Sequence, residues 1–464
     1  MSINPSIKKL FVLMLENRSY DNLFGWSDLR GWTPGGVPAH ADGLLGKPVY
    51  SNLDASNRPH DVASGAPYRL DFDPGHEFSD VLVQLCGRNM QAGNWSVRND
   101  GVSLGQDGAY PKMAESPGDL GFAYCLEAHG FDIASAMRCF SPEQLPVLNF
   151  LAHQFAVCDR WFSSMPGPTW PNRFFALAGT SWGLDYSPSD LRTVGSDFFD
   201  GEKFGNGSDS LLTRLAPEEW LVAHGDTPQS WSIKGVDANG RKDCFISHDA
   251  LLSRLAAGRL GEQVKFVFIE PRYDPLGGFR EGESMHPTGD VRAGEALVRK
   301  VYEAIKASPY WDESILLVVF DEHGGFFDHA IPPLPGTLGA PPLAASHPTG
   351  LTRHNFRFDR YGVRVPAIVI SPYVRQATIE HTFYDHLSIG KTLEEIVRRG
   401  GRAPLLATSR FEDAASFGKT LVLSKPRGRD DIPECPVPLP LPARSDGVLG
   451  TPAARAFAGL GWPP

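Results

Sequence analysis

No stretch of this 464-residue chain approaches the eighteen consecutive apolar residues that a membrane-crossing helix needs, and the run Phe11–Leu15 is far too short. No leader of charged, apolar and cleavable regions precedes the first predicted strand, which begins within about ten residues of Met1. A cytoplasmic location is therefore expected as written, or a secreted or periplasmic one if a leader has been removed. Cysteines are few and scattered: Cys86, Cys125, Cys139, Cys158, Cys244 and Cys435 form no C-x-x-C pair. That spacing argues against a zinc–thiolate cluster and predicts mostly free thiols. A basic excess is also missing. Lys and Arg total 44 against 54 Asp and Glu, a net charge of −10, so neither nucleic acid nor an anionic membrane surface is an expected electrostatic partner. There is no internal repeat.

What remains is the composition of a large globular domain, 42% hydrophobic, with 48 glycines and 39 prolines that predict many structured loops. Short apolar runs alternate with helical patterns. Strands are expected at 9–15, 155–158, 264–270, 311–320 and 365–371, and helices at 172–180, 291–307 and 386–399. This alternation argues for an α/β fold, a mostly parallel sheet with helices on both faces and long loop insertions. Residues 1–426 read as one domain, with 183–262 as a possible inserted cap and 427–464 as a Pro-rich, polyproline-like arm.

Chemistry concentrates at two strand ends. The run Ile315–Phe320 stops at Asp321, Glu322, His323, Gly324 and Gly325, and the run Lys9–Leu15 stops at Glu16 and Asn17. In open α/β sheets ligands bind just beyond the carboxyl ends of the strands, and paired oxygen donors there suit a hard metal or a phosphate. For each tip the alternative is plain turn chemistry. A third signal is the proline-locked loop Met165–Asn172, which presents Thr169 at the start of a helix. A hydroxyl there could attack phosphorus if a metal lowered its pKa, or could simply cap the helix. His76, His286, His323 and His329 sit in loops where they could hold a phosphoryl oxygen or protonate a leaving group, or serve as structural hydrogen-bonding groups. Trp26, Trp95, Trp161, Trp170 and Trp182 could cage a choline head group, with packing as the alternative.

Six segments occur in the order found in a known family: E-N-R-S-Y-D-N-L-F-G, D-P-G-H-E-F, D-R-W-F-S-S-M-P-G-P-T-W-P-N-R-F-F, H-P-T-G-D, F-D-E-H-G-G-F-F-D-H and V-R-V-P-A-I-V-I-S-P-Y-V. Together they resemble the phosphoesterase family of non-specific, phosphatidylcholine-hydrolysing phospholipases C and related bacterial acid phosphatases. The resemblance implies an alkaline-phosphatase-like fold. It implies one divalent metal ion (Ca, Mg, Mn or Zn) on Glu16, Asn17, Asp321, Glu322 and Thr169. It also implies Thr169 as nucleophile, and His76, His286 and Asp290 around the phosphoryl and leaving groups. His323 and Trp170 are the expected substrate-binding residues. Cleavage of a phospholipid into diacylglycerol and a phosphorylated head group is the expected activity. A monoesterase of acid-phosphatase type, or a non-catalytic phospholipid-binding protein, are the alternatives. The chain departs from the family pattern at Tyr20 and Asn22, where Phe and His are frequent, and it has no long carboxy-terminal β-domains.

Overall fold

The computed structural model describes residues 3–91, 96–98, 101–103, 111–187, 204–205, 209–236, 241–343, 352–354, 356–397 and 404–442. Its centre is a ten-stranded sheet. Numbered along the chain, the strands are β1 (Lys9–Leu15), β2 (Arg30–Trp32), β3 (Pro38–His40), β4 (Ala156–Cys158) and β5 (Trp220–His224), then β6 (Phe245–Ser247), β7 (Phe266–Glu270), β8 (Ser314–Phe320), β9 (Ala367–Ile370) and β10 (Thr378–Glu380). Their order across the sheet is β6-β5-β7-β1-β8-β9-β4-β10-β2-β3. Only β9 and β3 run against the rest. Every residue of β1, β7, β8, β9 and β4 is buried, so both faces of the sheet are covered. This explains why those strands read as continuous apolar runs rather than as alternating ones.

The central pair fixes the site. β1 and β8 are parallel and in register from Lys9↔Ser314 to Leu15↔Phe320. They end at the same level, about 4.8 Å apart, and the residues that follow, Glu16 and Asp321, emerge side by side. Within 183–262, the segment expected as a possible cap, residues 188–203, 206–208 and 237–240 lie outside the described residues. The described remainder supplies β5 and β6, one edge of the main sheet, through pairing of β5 with β7. Those strands are short and lie among polar residues, which hid them from a reading based on apolar runs. The six cysteines are free and buried. Among the described residues no helix is long and apolar enough to cross a membrane.

Beyond residue 426 the described chain lies along the helix Val291–Ala307. Arg292, Arg299 and Lys306, spaced seven residues apart on that helix, donate to the carbonyl oxygens of Pro440, Cys435 and Ile432 at 2.7, 3.3 and 3.2 Å. Ile432 and Cys435 are buried beneath the arm.

Candidate active site

The tips of β1 and β8 are held by hydrogen bonds that leave their oxygens oriented inward. Asp321 Oδ1 accepts from the backbone N–H of Asn17 at 3.0 Å and of Glu322 at 2.7 Å. Glu322 accepts from the Asn17 side-chain amide through Oε1 and from the Gly324 N–H at 2.8 Å through Oε2. Asn17 has φ +58°, a left-handed conformation that asparagine tolerates better than most residues. Gly324 lets the second tip close on the first: a Cβ there would stand 2.2 Å from the Asn17 carbonyl oxygen, at φ +65°. Gly324→Ala is expected to destabilise the protein by about 2–3 kcal/mol or more, read by urea unfolding.

The third component is the helix Thr169–Ala178. Its N-cap is Pro168, so Thr169 is the first helical residue and its side chain caps nothing. Asn172 locks the loop ahead of it by donating to the carbonyl oxygens of Gly167 and Pro168, both at 3.1 Å. One turn on, Arg173 is buried and donates through Nε to Asp321 Oδ2 at 3.0 Å and through Nη2 to the carbonyl oxygens of Leu15 and Met14 at 3.1 and 3.2 Å. Glu16 Oε1 is 4.0 Å from the same Nη2. The four-residue spacing puts Thr169 on the Arg173 face of the helix, about 6 Å along its axis. Arg173 thus fastens the Thr169 helix to both strand tips.

Two further loops reach the same place. Glu16 donates its N–H to the Ser284 carbonyl at 2.8 Å, and Arg18 donates to the carbonyl oxygens of Met285 and His286 at 2.8 and 3.5 Å. The other loop is Asp73–His76, which packs on the Gly324–Gly325 turn: a Cβ on Gly325 would stand 2.6 Å from the Gly75 carbonyl oxygen. Asp73 lies between the histidines, 3.7 Å from His76 Nδ1 and 3.5 Å from His286 Nε2. Their electrostatics diverge. Burial opposes the His76 cation, but the Asp73 and Glu322 carboxylates outweigh it and raise the pKa to about 10. Burial, reinforced by the His76 and Arg18 charges, holds His286 well below the ordinary imidazole value.

Glu16 and Glu322 are both pushed up to about 8, first by burial; Asp321 adds to this in each case, while Arg173 and His76 respectively oppose it. Glu16 Oε2 and Asn17 Oδ1 are buried without a hydrogen-bond partner. Two orphaned oxygen acceptors at neighbouring positions fit a hard cation, since each such group is costly to bury unpaired. Among the described residues, two groups of His, Cys, Asp or Glu bring three ligand atoms within 4.8 Å of one another: Asp21, Asp328 and His329, and Asp80, Cys125 and His129. Glu16, Asp321 and Glu322 are more loosely spaced than that. The first compact group is closed by Arg364, which is 2.9 Å from Asp21 and 3.0 Å from Asp328. It acts as a charge-balanced clamp between the residues following each tip.

The profile of the phosphoesterase family matches residues 7–227 and 246–398 of this chain. The chain belongs to that family. This phosphoesterase is a phosphoric ester hydrolase. It is similar to non-specific phospholipase C3 of Arabidopsis thaliana, with 32% identity over 461 residues, 96% of this chain and 78% of that one. It is similar also to phospholipase C B of Mycobacterium tuberculosis, at 25% identity over 452 residues, 90% and 78% of the two chains. A solved structure from Vibrio parahaemolyticus, a protein in the alkaline phosphatase superfamily, aligns with 55% of this chain and 61% of its own at 15% identity, with a TM-score of 0.33. That likeness is too distant to bear on activity.

Three residues expected at the phosphoesterase site have other work. Asp290 is the N-cap of the helix Val291–Ala307, accepting from the Arg292 N–H at 3.0 Å, and it pairs with the Arg292 guanidinium at 2.6 Å. His323 is buried, with Nε2 2.7 Å from Gln84 Oε1 and Nδ1 3.3 Å from Glu322 Oε2. Burial and the His76 charge lower its pKa to about 3. It supports Glu322 from behind. Trp170 is half-buried, edge-on to Phe174 at 6.0 Å. Trp161 is fully buried, Trp182 packs on the main core and Trp26 on a second one, while Trp95 lies outside the described residues. Among the described residues, Trp26, Trp161 and Trp182 serve packing. Arg173, Asp73, Ser284 and Arg18 are the site residues that sequence reasoning missed. For Arg173 a signal existed: an arginine one turn from the nucleophile candidate, on a helix whose remaining residues, Asn172 aside, are apolar.

Proposed function

We infer that this phosphoesterase acts as a phospholipase C on phosphatidylcholine-like lipids, through a covalent phospho-threonine at Thr169. The observation that carries the reading is a helix-start hydroxyl that caps nothing, fastened through Arg173 to strand tips bearing two orphaned oxygen acceptors. The names of the relatives support the substrate class.

Glu16, Asn17, Asp321, Glu322 and Thr169 would hold one divalent ion; a donor set made wholly of oxygen suits calcium, magnesium or manganese, and zinc also accepts carboxylates. Once bound, the ion supplies positive charge that acidifies the Thr169 hydroxyl and offsets charge on the phosphoryl oxygens. The hydroxyl proton leaves to solvent, Thr169 Oγ bonds to phosphorus, and the bond from phosphorus to the glycerol oxygen breaks. His76, cationic at neutral pH, gives its proton to that departing oxygen, releasing diacylglycerol. The now neutral His76 takes a proton from a water molecule, which attacks phosphorus and breaks the Thr169 ester, and the released Thr169 oxygen regains its proton from solvent. The phosphorylated head group departs. His286, held neutral, positions a phosphoryl oxygen.

Assays of one purified sample on p-nitrophenyl phosphate, on its phosphorylcholine diester and on phosphatidylcholine vesicles test this reading. Turnover of the diester and the vesicles, lost with EDTA and restored by a divalent ion, is expected. Turnover of the monoester alone would replace it with a phosphatase.

Proton linkage adds a second expectation. Below pH 4.5 Glu16 and Glu322 hold protons whether the chain is folded or not; between 4.5 and about 8 the folded chain holds more. In EDTA, stability from these two groups is therefore full below pH 4.5 and is lost as pH rises towards 8. Ion binding must displace those protons, so apparent affinity should rise with pH across that window, by up to about tenfold per unit for each proton released. Urea unfolding and calorimetric titration at pH 6, 7 and 8 check both.

A further inference from the structure

The second compact ligand group lies outside the machinery just described. Asp80 is in the first turn of the helix Phe78–Cys86, Cys125 is in the helix Phe122–Ala128, and His129 closes the latter helix. His129 Nε2 is 2.8 Å from Asp80 Oδ1, and Cys125 Sγ is 3.9 Å from the same oxygen. The three ligand atoms lie mutually within 4.8 Å. Tetrahedral zinc, with Zn–N and Zn–O near 2.0–2.1 Å and Zn–S near 2.3 Å, requires separations of about 3.3–3.9 Å between its ligands. The observed spacings need only a small adjustment to match.

A separate observation concerns the packing beside the group. A Cβ on Gly75 would stand 2.7 Å from Asp80 Cγ and 2.8 Å from His129 Nε2. Two of the three ligands therefore pack directly against the Gly75 backbone, an approach that only glycine allows, so the group is in contact with the loop that carries His76. The His129 side chain is 41% exposed, which gives solvent a path to it.

We propose that Asp80, Cys125 and His129 form a second, inhibitory metal site for a thiophilic divalent ion of the zinc class. Binding releases the Cys125 thiol proton to solvent, the His129 proton shared with Asp80 also passes to solvent so that the neutral ring carries its hydrogen on Nδ1, and the His129–Asp80 hydrogen bond is exchanged for two metal bonds. Water completes the tetrahedron. The inhibitory part rests on the role given to His76 above; the binding part does not. The link to catalysis is Gln84. Its Nε2 donates to the Gly75 carbonyl at 2.6 Å and contacts Cys125 Sγ at 3.6 Å, and its Oε1 meets His323 at 2.7 Å. Converting Sγ to a metal thiolate draws on the same amide that anchors Gly75, the residue before His76. Occupancy thus displaces the His76 loop and slows turnover.

Cobalt(II) is the discriminating probe. The Glu16–Glu322 set contains no sulfur, so a sulfur-to-cobalt charge-transfer band in the near ultraviolet reports only a thiolate site. One equivalent of thiolate-bound cobalt is expected in the full chain and in Thr169→Ala, and none in Cys125→Ser. Zinc added to enzyme saturated with its activating ion should inhibit several-fold, and Cys125→Ser and His129→Asn should escape this with basal activity unchanged. Absence of the band, or the same band in Cys125→Ser, would overturn the site even if the chain proved inactive on every lipid. Undiminished zinc inhibition in both variants would overturn the inhibitory role.

Discussion

Thr169→Ala is expected to lower turnover of a phosphodiester by at least about 10³-fold while leaving the unfolding transition in place. The side chain caps no helix, because Pro168 holds that position, and its removal deletes one hydroxyl and one methyl from a loop already locked by Asn172. Thr169→Ser should keep part of the activity, since it retains the attacking oxygen and loses only the methyl that restricts its rotamer. Rapid quenching of the wild-type enzyme with substrate labelled in its head group should trap the phosphorylated head group on the protein, and the alanine variant should trap none. Activity of wild-type magnitude in a folded Thr169→Ala variant would remove the covalent mechanism altogether.

The second large effect belongs to Arg173. Arg173→Met preserves length and apolar volume but removes the partner of Asp321 Oδ2 and the donor to the Leu15 and Met14 carbonyl oxygens. Breaking a buried ion pair from one side typically costs about 3–5 kcal/mol, because the remaining charge is stranded. That loss is expected in EDTA. With the activating ion present the loss should be smaller, because a cation beside Asp321 again balances the carboxylate. A urea titration of both proteins with and without the ion measures the difference. An equal loss under both conditions would mean that the ion does not meet Asp321.

The parts of this molecule that could be read in advance are those where sequence and geometry coincide within a few residues. Lys9–Leu15 and Ser314–Phe320 are buried on both faces, so their composition announced strands, and the abrupt change to acid and amide marked the tips. The helix Val291–Ala307 was readable from its periodicity. What failed was long-range or double-valued. Asp290 resembled a site acid because it follows His286 closely, yet an Asp directly before a helix is also a cap, and here it caps the helix and pairs with Arg292. His323 adjoins Glu322 in sequence, but strand-tip geometry turns it inward to Gln84, 239 residues away. Arg173 pairs with a residue 148 positions distant, and no local pattern encodes that. The edge strands Trp220–His224 and Phe245–Ser247 are short and exist because β7 offers a free edge, not because of any run of their own.

The carboxy-terminal strap over Val291–Ala307 gives those last residues an electrostatic duty. Arg292, Arg299 and Lys306 form a basic ridge; Asp290 balances the first, while main-chain carbonyl oxygens of the strap, rather than acids, meet the charges of Arg299 and Lys306. Clipping the chain near residue 426 would therefore behave as though two positive charges had been added, although no side chain had changed. The shortened protein would be most fragile in dilute buffer and would recover as salt screened the ridge, a signature that separates lost solvation from lost packing.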